Sequence, residues 1–280
     1  MAGLTDLVVL VRLPSCVGGA VSVLLGAYLA TGSLTTDGGR LALAAAAIAL
    51  VVAVANVVND IADLDLDRIG KPGRPLPRGS VPVSFAGVLA AILALTAIAL
   101  TIPLGAAMTL ALLALTAFAV SYSLWFKRTV LVGNVVVAAC ASFPVGFGAA
   151  VARESHPPVV VAIGLAFLFM FSYETLKTRT DRESDARSGI RTFATVWGAR
   201  ASVRLFRVLI GTLTLAVVAG TVVTSRPFLY APAALTVCGF AVASAIHLPV
   251  PENDPAAMRH SVFLMRVAWF LGVGALWLLR

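Results

Sequence analysis

Nine apolar runs, at 7–31, 41–59, 83–102, 104–125, 130–151, 159–176, 202–224, 228–248 and 262–279, decide what this chain can fold into. Each is about 20 residues long, enough for a helix to cross ~30 Å of hydrocarbon. Lipid offers the backbone no hydrogen-bond partners, so a spanning segment must satisfy its own, and a helix does. The runs are rich in Ala and Leu and show no apolar–polar alternation, which argues against strands. With 60% hydrophobic and 12% charged residues, the chain is no ordinary soluble domain. The expectation is an all-α, multi-pass membrane helical bundle of nine transmembrane helices, one domain over 1–280. The first run is long, follows no cation and carries no clear cleavage site, so it reads as a span and not as a removable signal.

The net charge of +8 suggests nucleic acid until its distribution is considered. With nine spans, the N-terminus shares a side with the connections after the second, fourth, sixth and eighth. Every lysine and arginine falls on that side except Arg40, Arg153, Arg226 and Arg280. The positive-inside rule then places the N-terminus and the charged loops in the cytoplasm, in a protein integral to the cell membrane with no nucleic-acid partner. Cations needed for an anionic substrate would produce the same bias. Cys16, Cys140 and Cys238 and the three histidines are scattered, which speaks against a disulfide frame or a His-based metal centre.

Two connections are long and charged: 60–82 and 177–201, after the second and sixth spans. These two cytoplasmic motif loops are where chemistry is expected. The first is "NVVNDIADLDLDRIGKPGRPLPRG", residues 56–79. On a helix, Asn56, Asn59, Asp60, Asp63 and Asp67 point within one arc of about 100°, while Asp65 points away. A merely solvated helix end would mix signs at i,i+4, because like charges there repel. Here acid follows acid at the edge of a low-dielectric region, so a counter-cation is needed. Hard oxygens without nearby His or Cys fit Mg²⁺, which keeps waters and is shared with substrate phosphates. Gly70, Pro72, Gly73, Pro75, Pro77 and Gly79 then break the helix. Arg68, Lys71, Arg74 and Arg78 therefore lie on a turning loop suited to phosphate.

The second stretch, "FSYETLKTRTDRESDARSGIRT" (171–192), sets Tyr173, Lys177, Asp181 and Asp185 four residues apart, a stripe drifting by about 40° per step. Glu174 lies within the same arc and Glu183 does not. Arg187 and Arg191 follow on a loop near Gly189 and Thr192. Two such acidic ends, facing each other, would hold two Mg²⁺ ions through Asn59, Asp63, Asp67, Asp181 and Asp185. A diphosphate would bridge the metals and collect the lysines and arginines. The rest of its molecule would extend into the apolar bundle.

Four segments resemble the UbiA superfamily of intramembrane aromatic and lipid prenyltransferases. They are "NDIADLDLD" (59–67), "RPLPRG" (74–79), the Tyr173–Lys177–Asp181–Asp185 series, and "YSLWFKRTVLVGN" (122–134) with Lys127 and Asn134. The resemblance implies Mg²⁺-dependent transfer of a prenyl group from an isoprenyl diphosphate to an aromatic or lipid-like acceptor, with diphosphate released. It implies catalytic roles for Asp60, Asp63, Asp67, Asp181, Asp185 and Tyr173. It implies diphosphate binding by Asn59, Arg68, Lys71, Arg74, Arg78, Lys127, Lys177 and Arg191. By position, Asn56, Tyr122 and Asn134 are candidates for an acceptor or cation pocket, Asn134 equally for a hydrogen bond between helices. Some members instead cyclise the prenyl diphosphate without an acceptor, and the motifs do not separate that terpene cyclase alternative. A transporter of lipid diphosphates would set its acids nearer the bilayer midplane. The resemblance departs at Thr178, where some branches carry an acid, and at Ser184, where they favour glycine. Both departures point away from a lipid-acceptor branch such as digeranylgeranylglyceryl phosphate synthase and thin the ligand set of a second metal.

Overall fold

The structure, a computed structural model, describes residues 3–35, 37–250 and 254–280. Among the described residues it is helical throughout, without strands, and nine helices are long and apolar enough to cross a membrane. In chain order the α-helices are α1 Leu4–Val11, α2 Leu13–Thr31, α3 Gly38–Ala62, α4 Leu64–Gly70, α5 Val83–Thr101, α6 Ala106–Leu124 and α7 Val132–Val151. They continue with α8 Pro157–Thr180, α9 Arg182–Arg187, α10 Phe193–Ala219, α11 Pro227–His247 and α12 Pro255–Leu276. The chain divides into two compact units, one over Met1–Ala27, Ser33–Lys127 and Phe143–Glu154, the other over Tyr28–Gly32, Arg128–Ser142 and Ser155–Arg280.

Two expected spans begin differently. The run at 7–31 is broken at Arg12, whose φ of 53° and ψ of 61° are left-handed. A non-glycine residue pays about 1–2 kcal/mol there. Helix α2 restarts with Pro14 in its first turn, where a missing N–H has no duty. The seventh span starts at Phe193 and not at 202. A capping box starts it: Thr192 Oγ1 accepts from Thr195 N at 3.3 Å, and Thr192 N donates to Thr195 Oγ1 at 2.8 Å. Gly198, at φ 79°, kinks the helix before Arg200, Arg204 and Arg207, whose charge had hidden this start from hydropathy.

In the first unit α3 is central and packs mainly against α5, then α6 and α1. Leu10 of α1, Val57 of α3 and Ala86 and Ala90 of α5 form a buried cluster with Leu76 and Val81 from the loop after α4. Leu76 thus anchors the Pro-rich loop in the core and fixes where its arginines stand. Helices α2 and α7 touch backbone to backbone: a Cβ on Gly26 would fall on the Val145 carbonyl, and one on Gly148 on the Val23 carbonyl. Small residues at such crossings are what let membrane helices approach. Gly26→Val or Gly148→Val is expected to lower the thermal midpoint in detergent by 5 °C or more, on the order of the cost of overpacking a tight core. Wild-type melting of both variants would contradict the close crossing.

In the second unit α11 packs against α12 and α10, and α8 against α10 and α12. Arg179, fully buried near the end of α8, donates to the carbonyls of Pro249 at 3.2 Å and Val250 at 2.7 Å and so ties down the chain leaving α11. His247 and His260, far apart in sequence, meet edge to face at 5.3 Å.

Candidate active site

Both acidic stretches are built by one device. Helix α3 ends at Asp63, a single residue at φ −93° and ψ 3°, and α4 follows at once. Helix α8 ends at Asp181, at φ −91° and ψ 1°, and α9 follows. The i→i−4 ladder runs through each joint: Asp63 N to Asn59 O at 2.9 Å and Asp67 N to Asp63 O at 2.8 Å, then Asp181 N to Lys177 O at 2.9 Å and Asp185 N to Asp181 O at 2.8 Å. The bend therefore keeps the helical register that lines up the carboxylates. The shared dihedrals make the two stretches a structural repeat that their residues, beyond acid spacing, do not display.

At the first joint the carboxylates and cations interlock. Asp63 accepts from Asn59 Nδ2 at 3.0 Å and pairs with Lys127. Asp67, 5% exposed, takes Arg74 Nη1 at 2.5 Å and lies 3.6 Å from Lys71 Nζ. The same Arg74 nitrogen reaches Asp60 at 3.2 Å. Asp60, 4% exposed, also pairs with Arg12. The structure thus brings Asn59, Asp60, Asp63, Asp67, Lys71, Arg74 and Lys127 into one network.

Arg68 and Arg78 stand apart from this network, and Asn56 joins it only through Arg12. Arg68 pairs outward with exposed Asp65 at 2.9 Å. Arg78 pairs with Asp6 and donates to Ser80 Oγ at 3.0 Å. Asn56 is engaged at both ends by the break after α1: its Oδ1 accepts from Arg12 at 3.1 Å and its Nδ2 donates to Val11 O at 2.9 Å. Arg12 and Asp6 were missed as site residues. The available signal was an arginine and an aspartate flanking an apolar start, just ahead of Pro14. Tyr122 sits half-buried in the last turns of α6.

The second joint lies in the other unit. Tyr173 Oη accepts from Arg266 Nε of α12 at 3.2 Å. Lys177 donates to buried Glu174 at 2.7 Å and stands 5.9 Å from the centre of the Tyr173 ring. Asp181 lines a cleft of ≈490 Å³ with Arg259 and Arg266. Asp185 is half-buried, Arg191 is exposed, and Glu183 pairs outward with Arg187 at 3.3 Å. Asn134, also in this unit, is 8% exposed at the start of α7, and its Nδ2 finds no hydrogen-bond partner among the described residues. Arg259 and Arg266 were read only as part of the charge bias, although a seven-residue spacing places them on one helix face.

Among the described residues no three His, Cys, Asp or Glu side chains form a ready metal cage. The donor chemistry fits Mg²⁺ all the same. Asn59, Asp63 and Asp67 are hard oxygens on successive turns, and such an ion takes one or two carboxylates and fills its shell with water and phosphate. Asp63 and Asp67 each already hold a cation, so both positions demand positive charge.

The UbiA prenyltransferase family model matches residues 20–277. The digeranylgeranylglyceryl phosphate synthase of Natronomonas pharaonis is 30% identical, covering 97% of this chain and 98% of that one. That of Korarchaeum cryptofilum is 32% identical over 84% of each. A structure reported for digeranylgeranylglyceryl phosphate synthase superposes with a TM-score of 0.78 at 22% identity, covering 99% of this chain and 98% of that one. A UbiA homologue from Archaeoglobus fulgidus bound to DMAPP and Mg²⁺ gives 0.68 at 14% identity, over 95% and 98%. At those identities the structural likeness shows a shared fold. The relatives carry the name of the branch from which Thr178 and Ser184 were expected to point away.

Proposed function

Since the chain belongs to the UbiA prenyltransferase family, we propose that it is an Mg²⁺-dependent transferase that moves a prenyl group from an isoprenyl diphosphate to a lipid phosphate acceptor. The observation that carries the reaction class is the set of cation-matched carboxylates at the end of α3: Asp63 with Lys127, and Asp67 with Arg74 and Lys71. The relatives' name supports the acceptor. A glyceryl phosphate carrying two geranylgeranyl groups arises when one is added to a glyceryl phosphate carrying the other. It speaks against an acceptor-free cyclase.

In this reading the acceptor hydroxyl oxygen bonds to C1 of the prenyl group, the C1–O bond to diphosphate breaks, and diphosphate and a proton leave. Asn59, Asp63, Asp67, Asp181 and Asp185 would hold Mg²⁺, which supplies Lewis-acid stabilisation of the leaving diphosphate. Lys127, Lys71 and Arg74 turn from carboxylate to phosphate oxygens and complete the neutralisation. Asp60 and Arg12 act through Arg74 as positioning residues. The ring of Tyr173, with the Lys177 ammonium already near its face, steadies the allylic cation, worth about 0.5–2 kcal/mol. Apolar walls exclude the water that would quench that cation. The N-terminus and both acidic joints face the cytoplasm, where the cationic loops are retained.

Purified protein given C10 to C20 prenyl diphosphates, with and without an isoprenoid glyceryl phosphate, tests this by mass spectrometry. The expected result is a prenyl ether and one diphosphate per turnover, with the acceptor alone deciding whether turnover occurs. A cyclic hydrocarbon or alcohol formed without acceptor would overturn it.

A further inference from the structure

Helix α12 carries two arginines, Arg259 just before the apolar run at 262–279 and Arg266 within that run's first turns. Arg266 stands eleven residues beyond Pro255, about 16 Å along a span that runs over Pro255–Leu279. Both side chains are exposed. Arg259 stands seven residues earlier, so the two heads are stacked on one face, about 10 Å apart along the axis. Both line the ≈490 Å³ cleft at the end of α8, together with Asp181, Met258, Val262 and Phe263. Arg266 spends its Nε on Tyr173 Oη, which orients the fork. Arg259 makes no hydrogen bond or ion pair among the described residues. Two cations outweigh the one aspartate, and Val262 and Phe263 stand between them along the helix.

Resting on the transferase reading above, we propose that this cleft seats the phosphate of the acceptor lipid. Arg259 and Arg266 grip the phosphate monoester, and the apolar side chains take the first part of its glyceryl ether. The site is separate in residues from the Lys127, Lys71 and Arg74 set that the prenyl diphosphate uses. Arginine suits this task because its planar fork offers paired donors to two phosphate oxygens. Within this unit Tyr173 joins the cleft to Lys177, since its hydroxyl accepts from Arg266 while its ring lies near the Lys177 ammonium.

The test measures KM for the lipid phosphate at saturating prenyl diphosphate, and the converse, in wild type and in Arg259→Gln, Arg266→Gln and Arg266→Lys. Each glutamine variant is expected to raise the acceptor KM about tenfold or more, which corresponds to about 1.4 kcal/mol, with the donor KM within about twofold. Arg266→Lys is expected to recover part of the loss. With an acceptor carrying a hydroxyl in place of the phosphate, wild type should fall to the level of the variants. A rise in donor KM instead would assign the arginines to the diphosphate and overturn the proposal while leaving the transferase reading intact. Unchanged KM values for both substrates would make them surface anchors and overturn it equally. If one glutamine variant melts early, equilibrium binding of the lipid phosphate to the other glutamine variant replaces the kinetics, and wild-type affinity there refutes it. Wild type that prenylates only uncharged acceptors would remove the lipid phosphate reading itself, before any variant is made.

Discussion

Asp63→Ala and Asp181→Ala are each expected to lower kcat by about a thousandfold or more, while the protein still inserts, purifies and melts near the wild-type temperature. Preorganised charge at a leaving group is worth several kcal/mol, and each ~1.4 kcal/mol is tenfold in rate. Neither side chain is needed for the helix joint, because the ladder through it is made by backbone groups alone. Asp63 does leave Lys127 without its partner, but that lysine is 29% exposed and water can take the place of the carboxylate. EDTA is expected to silence wild type in the same way, and added Mg²⁺ to restore it. Because the two aspartates belong to different compact units, the pair of variants asks whether both joints serve one reaction. Full turnover in either variant, or turnover indifferent to the chelator, would remove the metal–diphosphate mechanism.

The spans were legible because hydrocarbon imposes one rule on every residue of a run, and length and composition suffice to apply it. The carboxylate stripes were legible for a related reason. Their spacing survives the bends at Asp63 and Asp181, since one residue near φ −90° and ψ 0° leaves the next i→i−4 bond in place. The bends themselves left no trace, for aspartate is at ease in that region and in a straight helix end alike. What the sequence hid was pairing at a distance. Arg78 reads as one of four loop cations, yet its partner Asp6 stands 72 residues earlier. Lys127 meets Asp63 across 64 residues. No local pattern announces such contacts, because helix packing creates them. The break at Arg12 was hidden for another reason: a left-handed arginine is locally unfavourable, so propensity argues for a continuous helix there.

That break yields the second large effect, and Arg12→Gly separates its two causes. Glycine is at home at φ 53°, so backbone energy alone would make this variant more stable by about 1 kcal/mol. The charge argument has the opposite sign. Asp60 is 4% exposed, and removing one partner of a buried ion pair costs about 3–5 kcal/mol. Arg74 remains 3.2 Å away and a third of the Arg12 side chain is exposed, so the lower end applies and a net loss of about 2 kcal/mol is expected. It should appear as a lower midpoint in denaturant or heat, in detergent. Asp60→Asn on top of Arg12→Gly is expected to restore most of that stability, since it removes the stranded charge and keeps the shape. The double variant would still lose activity, because Arg74 then keeps a charged partner only in Asp67. An Arg12→Gly protein as stable as wild type would mean that Asp60 does not need Arg12, and the left-handed turn would lose its explanation.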